Sequence, residues 1–548
     1  MRSPSVLFRF AVFATLSLRG SSSPLAAPTV SLDQGVFTGK TSNNVDQYLG
    51  ISYAQPPVGD LRFQIPHPND PYNGTYDATQ FGSSCPGNGI APNISAILAA
   101  SSLLAPIVAE LGALFPSPTV LLSLNVYVPT GTVADASLPV VAVKLGAFQT
   151  GSPSSYPGAN IVQRSMQLGK PIIYVSMNYR CLISHTAFGF FASQEVMDAK
   201  VGNLGLRDQR QALRWIQQYI SLFGGDPTQV TIWGESAGSW SVALQMVTNG
   251  GNTEGLFRAA FLESGSALSF GSVVEEQGSY EALVTAAGCA GAIDTLQCLR
   301  EVSYSTLQSA ITSTQAAFAQ AQNVPWQPRI DGDFLVDSGA NLVQQGSVAN
   351  VPFISGDCDD EGTIFGIDQL NVTTSSQLAA WLPVILHGIS QDDINTILET
   401  YSDDITQGSP FNTGILNAVT PEYKRISALQ GDLVFQAPRR LMLQLRSGLQ
   451  PTWSYLYKRM KSTPVLGAAH TFDLLDIYGP GDMTDYLVHF VTDLDPNNST
   501  GIFWPQYTVA SPQLLTFVDS APSLEITQDT YRQDAIALMG TLGRKYPF

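Results

Sequence analysis

The sequence predicts an α/β fold built on a largely parallel sheet covered on both faces. Three observations carry the prediction. Short apolar runs recur at Val140–Lys144 (VVAVK), Ile172–Met177 (IIYVSM) and Val230–Trp233 (VTIW), the signature of strands buried on both faces. A helical pattern, Leu206–Phe223, separates the last two, so strand and helix alternate. The chain of 548 residues is 44% apolar and only 13% charged, against a usual charged share of about 25%. Such a chain can fill a large core and is excluded from the disordered class.

The N-terminus comes first. Arg2 and Arg9 precede a short apolar run, Phe10–Leu18, and Ser21–Ala27 ends in small residues. That pattern predicts a secretory signal over residues 1–27. Nine apolar residues cannot span a bilayer core of about 30 Å. An extracellular address agrees with the glycosylation sequons at Asn73, Asn93, Asn371 and the overlapping Asn497 and Asn498. A net charge of −17 and a pI near 4.6 repel phosphate backbones, so no nucleic-acid partner is expected.

The segment Ile94–Phe115 is unusually apolar. Pro106 and Glu110 argue against a membrane span. It reads either as a buried helical hairpin or as a mobile flap over an apolar cleft.

After the strand VVAVK and the strand IIYVSM comes the helix Leu206–Phe223. Its stripe is Leu206, Leu213, Ile216, Ile220 and Phe223, and Gly224-Gly225 closes it. The next strand, VTIW, runs straight into Gly234-Glu235-Ser236-Ala237-Gly238, and a helix-like stretch, Ser239–Val247, follows. A GxSxG string alone is weak. Set between strand and helix, it predicts a sharp turn that exposes the Ser236 hydroxyl, with the Ala237 amide free to face an oxyanion. Beyond it, Cys289 and Cys298 are spaced for a local disulfide in an oxidising compartment.

A serine nucleophile needs a base, and the base an orienting acid. The chain has five histidines. His67 lies between prolines and His185 precedes Ser236. His387 and His489 lie in apolar runs and read as packed residues. His470 follows the strand-like Trp453–Lys458 and a loop around Gly467, which fits a base at the sheet edge. For the acid, the strand-like Val351–Ser355 leads into Gly356-Asp357-Cys358-Asp359-Asp360-Glu361. Residue chemistry leaves Asp359, Asp360 and Glu361 open. A calcium-binding or solvated loop is the competing reading of that run.

The chain resembles the type-B carboxylesterase/lipase family. The matching strings are NYR at Asn178–Arg180, FGF at Phe188–Phe190, GNLGLRDQR at Gly202–Arg210, FGGDP at Phe223–Pro227, VTIWGESAGS at Val230–Ser239 and DDEGTIF at Asp359–Phe365. The resemblance implies one α/β-hydrolase domain over residues 28–548, with a flap or lid region. It implies a catalytic set of Ser236, Glu361 and His470, and supports the Cys289–Cys298 bond. It places further oxyanion donors at Gly146 and Ala147, where the family's Gly-Gly-Gly-Phe is replaced by Leu145-Gly146-Ala147-Phe148. The early cysteine loop also departs from the family, since Cys85 has no partner before residue 123. Cys181–Thr186 reads as an insertion.

The expected function is secreted hydrolysis of a small-molecule or lipid ester, with transient contact at a lipid interface and without cofactor or metal. Two alternatives use the same fold. One is a catalytically impaired, cholinesterase-like binding protein, motivated by the altered oxyanion string. The other is an acyltransferase or lactone-forming enzyme with an alcohol in place of water.

Overall fold

The structure, a computed structural model, describes residues 26–82, 122–144, 156, 158–180, 187–320, 326–479, 481–497 and 501–548. Residues 1–25 of the expected signal segment, Cys85, Asn93, the apolar segment Ile94–Phe115, Gly146, Ala147, Cys181–Thr186 and Asn498 lie outside the described residues.

Fourteen strands are described: β1 (Thr29–Leu32), β2 (Gln34–Thr38), β3 (Lys40–Ser42), β4 (Val45–Ser52), β5 (Asn73–Asp77), β6 (Ser123–Pro129), β7 (Leu138–Lys144), β8 (Ile173–Met177), β9 (Gly225–Glu235), β10 (Ala259–Glu263), β11 (Phe353–Cys358), β12 (Thr452–Tyr457), β13 (Gln513–Phe517) and β14 (Leu524–Gln528). Strands β1, β2 and β5 form a small sheet. The other eleven form one sheet in the order β14-β13-β12-β11-β10-β9-β7-β8-β6-β4-β3. From β8 through β13 every neighbour is parallel; the pairings at both ends are antiparallel. This is the α/β-hydrolase arrangement, a large, mostly parallel sheet flanked by helices.

Alternation along each strand divides the core. Val140, Ala142, Ala260, Leu262, Phe353 and Leu456 join one apolar cluster, which holds the helix Leu204–Tyr219. Val141, Val143, Ala259, Phe261, Ile354, Trp453 and Tyr455 join another, which holds the helix Asp482–Asp493. Period-two side chains therefore face two helical layers, which is why the strand sequences read as continuously apolar. A third cluster gathers helices outside the sheet, including Ser375–Ile385 and Gln533–Lys545.

The expected helix Leu206–Phe223 begins two residues earlier and is α-helical only to Tyr219. Its last turn, Ile220–Phe223, tightens to a 3₁₀ helix and ends on Gly224 at φ 85°. A glycine past the helix end supplies that left-handed cap without strain.

Parallel register aligns the carboxyl ends of the central strands. Glu263 of β10 pairs with Glu235 of β9 and Gly356 of β11, and Cys358 of β11 pairs with Tyr457 of β12. The loops that leave these ends share one edge of the sheet, where open α/β folds place their ligands.

Candidate active site

Ser236 sits between β9 and the helix Ala237–Val247 at φ 59°, ψ −125°. A non-glycine residue held there costs on the order of 1–3 kcal/mol. The turn is possible because its neighbours are small. A Cβ on Gly234 would lie 2.2 Å from the Gly238 backbone and 2.8 Å from the Lys144 carbonyl. The bend is pinned from both sides: the Ser236 amide donates to the Glu263 carbonyl at 3.0 Å, and its own carbonyl accepts from the Trp240 amide at 3.0 Å. As the first helical residue, Ala237 has an amide without an intrahelical acceptor.

Ser236 Oγ lies 2.8 Å from His470 Nε2, and His470 Nδ1 lies 2.5 Å from Glu361 Oε2. All three side chains are buried. The other Glu361 oxygen accepts from the Ser264 hydroxyl at 2.7 Å and the Cys358 amide at 2.6 Å. A carboxylate that accepts from three donors cannot rotate freely, so the imidazole edge facing it is fixed. With Nδ1–H directed at Glu361, Nε2 is left as the acceptor for the serine proton.

The neighbouring acids have other partners. Asp359 pairs with Lys461 at 2.6 Å, and Asp360 with the same ammonium at 2.5 Å. Asp360 also accepts from the Ser409 hydroxyl and the Phe411 and Ala468 amides. The acidic run is therefore neither a calcium loop nor a solvated one. Lys461 satisfies Asp359 and Asp360, and among the three open candidates Glu361 alone reaches His470.

His470 is buried between the rings of Phe365 and Phe435, at centroid distances of 5.4 and 4.8 Å. Phe435 comes from a π-helical turn, Asp432–Gln436, set between two α-helices. The wider turn re-aims its side chain. A π-turn has no signature at helical period, so Phe435 could not be picked out from the residues alone.

Sequence reasoning also missed a set of buried acids beneath the histidine. Glu235 Oε1 lies 3.4 Å from His470 Nε2. Glu263 accepts from the Trp233 indole at 2.7 Å, and Asp473 from the Tyr455 hydroxyl at 2.9 Å. Burial pushes Glu235 up to about 8, Asp473 to about 7 and Glu263 well above the carboxylate range, and nearby acids add to each shift; burial acts on Glu361 in the same direction. The Ser264 and Cys358 donors pull Glu361 back down. Burial lowers His470 from 6.5, while Glu235 opposes it. A neutral imidazole at neutral pH follows, as a general base requires.

The other expected residues fall as follows. Cys289 and Cys298 form a disulfide. Cys358 is a buried free thiol pushed upward by burial, unsuited to act as a nucleophile. His387 is exposed rather than packed, because the apolar residues beside it, Leu386 and Ile389, turn inward instead. His489 is half-buried and faces Asp493 at 3.5 Å. Asn73 and Asn371 are exposed. The Asn497 amide is engaged by Asp495 and by the Trp504 backbone. Among the described residues no helix is long and apolar enough to cross a membrane.

Residues 26–535 match the model of the carboxylesterase family. "Lipase 2" of Diutina rugosa is 38% identical over 94% of this chain and 96% of its own length. "Secreted lipase 1" of Botryotinia fuckeliana is 38% identical over 88% of each chain. Among solved structures, Aspergillus niger EstA superposes with a TM-score of 0.78 at 27% identity, covering 94% of this chain and 98% of that one. A thermophilic PNB esterase gives a TM-score of 0.75 at 25% identity, over 93% and 99%.

Proposed function

Since the chain belongs to the carboxylesterase family, we propose that it is a secreted serine hydrolase of carboxylic esters, with Ser236 as nucleophile, His470 as base and Glu361 as orienting acid. The observation that carries this reading is the continuous hydrogen-bonded chain from Ser236 Oγ through His470 to Glu361. That the chain is a carboxylic ester hydrolase follows from its family and from lipase-named relatives.

In the first half-reaction Ser236 Oγ bonds to the acyl carbon as His470 Nε2 takes its proton. The imidazolium is held by Glu361, which keeps its own negative charge. The Ala237 amide, joined by those of Gly146 and Ala147, donates to the oxyanion. His470 returns the proton to the leaving alkoxide and the alcohol departs. Water then gives a proton to His470, its oxygen attacks the acyl carbon, and the proton returns to Ser236 as the acid leaves.

The apolar segment Ile94–Phe115 and the lipase-named relatives favour a lipid ester as substrate. Residues 1–27 are proposed as the signal, and residues 28–548 as one catalytic domain. Glycans are proposed on Asn73, Asn93 and Asn371. A glycan is proposed as well on the overlapping pair Asn497 and Asn498.

The test is Ser236→Ala assayed on p-nitrophenyl butyrate. Turnover should fall to the level of the buffer control; retained turnover overturns the assignment.

A further inference from the structure

One loop near the candidate active site is uncharged throughout. Residues 405–421 contain no ionisable side chain, in a protein of net charge −17. The same loop carries some of the most exposed apolar side chains in the described structure. Ile415 is 67% exposed, Leu416 70% and Val419 43%. Three such side chains gathered on one loop make an exposed apolar patch of the kind that marks an interaction site.

The loop is held firmly. Lys424 Nζ donates to the Gly414 carbonyl at 2.6 Å and to the Thr413 hydroxyl at 3.1 Å. The Arg532 guanidinium lies over the Phe411 ring at 3.7 Å. Apolar side chains on a preformed loop insert without a further ordering cost.

It is also fastened to both loops of the candidate active site. Ser409 and Phe411 hydrogen-bond Asp360, next to Glu361. Asn417 accepts from the Val465 amide at 2.8 Å, in the loop that leads to His470. A Cβ on Gly467 would lie 2.7 Å from Pro410.

From this juxtaposition we propose that residues 405–421 dock the enzyme on an uncharged lipid phase, with Ile415, Leu416 and Val419 entering it. The occupant follows from charge. The acidic remainder of the surface repels anionic headgroups, whereas this loop brings no charge of its own to the contact. The proposal rests on the ester-hydrolase reading and specifies how that site meets an insoluble substrate.

The test uses the full chain carrying Ser236→Ala, so that binding is read without turnover, with and without I415S/L416S. The probes are triolein droplets coated with phosphatidylcholine, and phosphatidylglycerol vesicles. The parent should float with the droplets and not with the anionic vesicles. I415S/L416S should raise the droplet area needed for half-binding about tenfold or more. In the active chain the same pair should slow droplet hydrolysis and leave kcat/KM on dissolved p-nitrophenyl acetate unchanged. Equal droplet binding by the two proteins overturns the proposal. So does an equal loss on the dissolved ester, and so does a dimer that the pair dissociates while adsorption stays the same. The nucleophile assignment fails separately, if Ser236→Ala still turns over the dissolved ester.

Discussion

Asp360 and Ala468 are joined twice: the Asp360 amide donates to the Ala468 carbonyl at 3.0 Å, and Asp360 Oδ2 accepts from the Ala468 amide at 2.9 Å. The two residues stand next to Glu361 and two before His470. This bracket sets the spacing of two side chains that lie far apart in the chain.

Removing the bracket without touching the reacting groups should therefore cost activity. Asp360→Ala leaves three donors and the Lys461 ammonium without their acceptor. A drop of about 10²-fold in kcat is expected from loss of positioning, with about 3–5 kcal/mol lost from a broken buried ion pair. Steady-state kinetics and thermal unfolding of the same preparation check both. Unchanged kcat would mean that His470 is positioned by other contacts.

Glu361→Gln tests the orienting carboxylate. The amide keeps the volume and removes the charge, and it can present N–H to Nδ1, which selects the wrong tautomer. A fall of about 10⁴-fold in kcat is expected, with KM little altered. The fold should survive, because the amide oxygen can still accept from Ser264 and Cys358.

Gly234→Ala should fail by sterics. The new methyl would stand 2.2 Å from the Gly238 backbone, and backbone cannot yield as a flexible side chain can. Thermal unfolding should show a loss of about 2 kcal/mol or more, together with lost organophosphate reactivity at Ser236.

Glu235→Gln tests the buried acids through stability. Burial raises Glu235 from 4.5 to about 8. A carboxyl whose folded value exceeds its unfolded value favours folding while protonated. That contribution is complete below the unfolded value and is lost as pH rises through the folded one. The wild type should lose Tm between about pH 5 and about pH 8, at up to about 1.4 kcal/mol per pH unit for each such group. Glu235→Gln cannot ionise, so its Tm should fall less steeply over the same range. Parallel slopes for the two proteins would remove Glu235 from the cause.

Much of this was legible in the residues. The central strands read as apolar because both faces are covered, and the turn at Ser236 read from its small neighbours and its place between strand and helix. His470 was reachable by position, following a late strand. The acid was open to residue chemistry and came only from the family resemblance, because three adjacent carboxyls differ only in what crosses from distant segments: Lys461 to Asp359 and Asp360, Ser409 to Asp360, Ser264 to Glu361. The buried acids Glu263 and Asp473, and the π-turn that aims Phe435, depend on tertiary placement and have no local signature.

The central claim is that Ser236 owes its reactivity to His470 and Glu361. It is tested most directly by the mass of the intact chain after reaction with diethyl p-nitrophenyl phosphate, with the adduct located by peptide mapping. A single diethylphosphoryl group on Ser236 is predicted. An unmodified chain, or an adduct on another residue with Ser236 untouched, would contradict it.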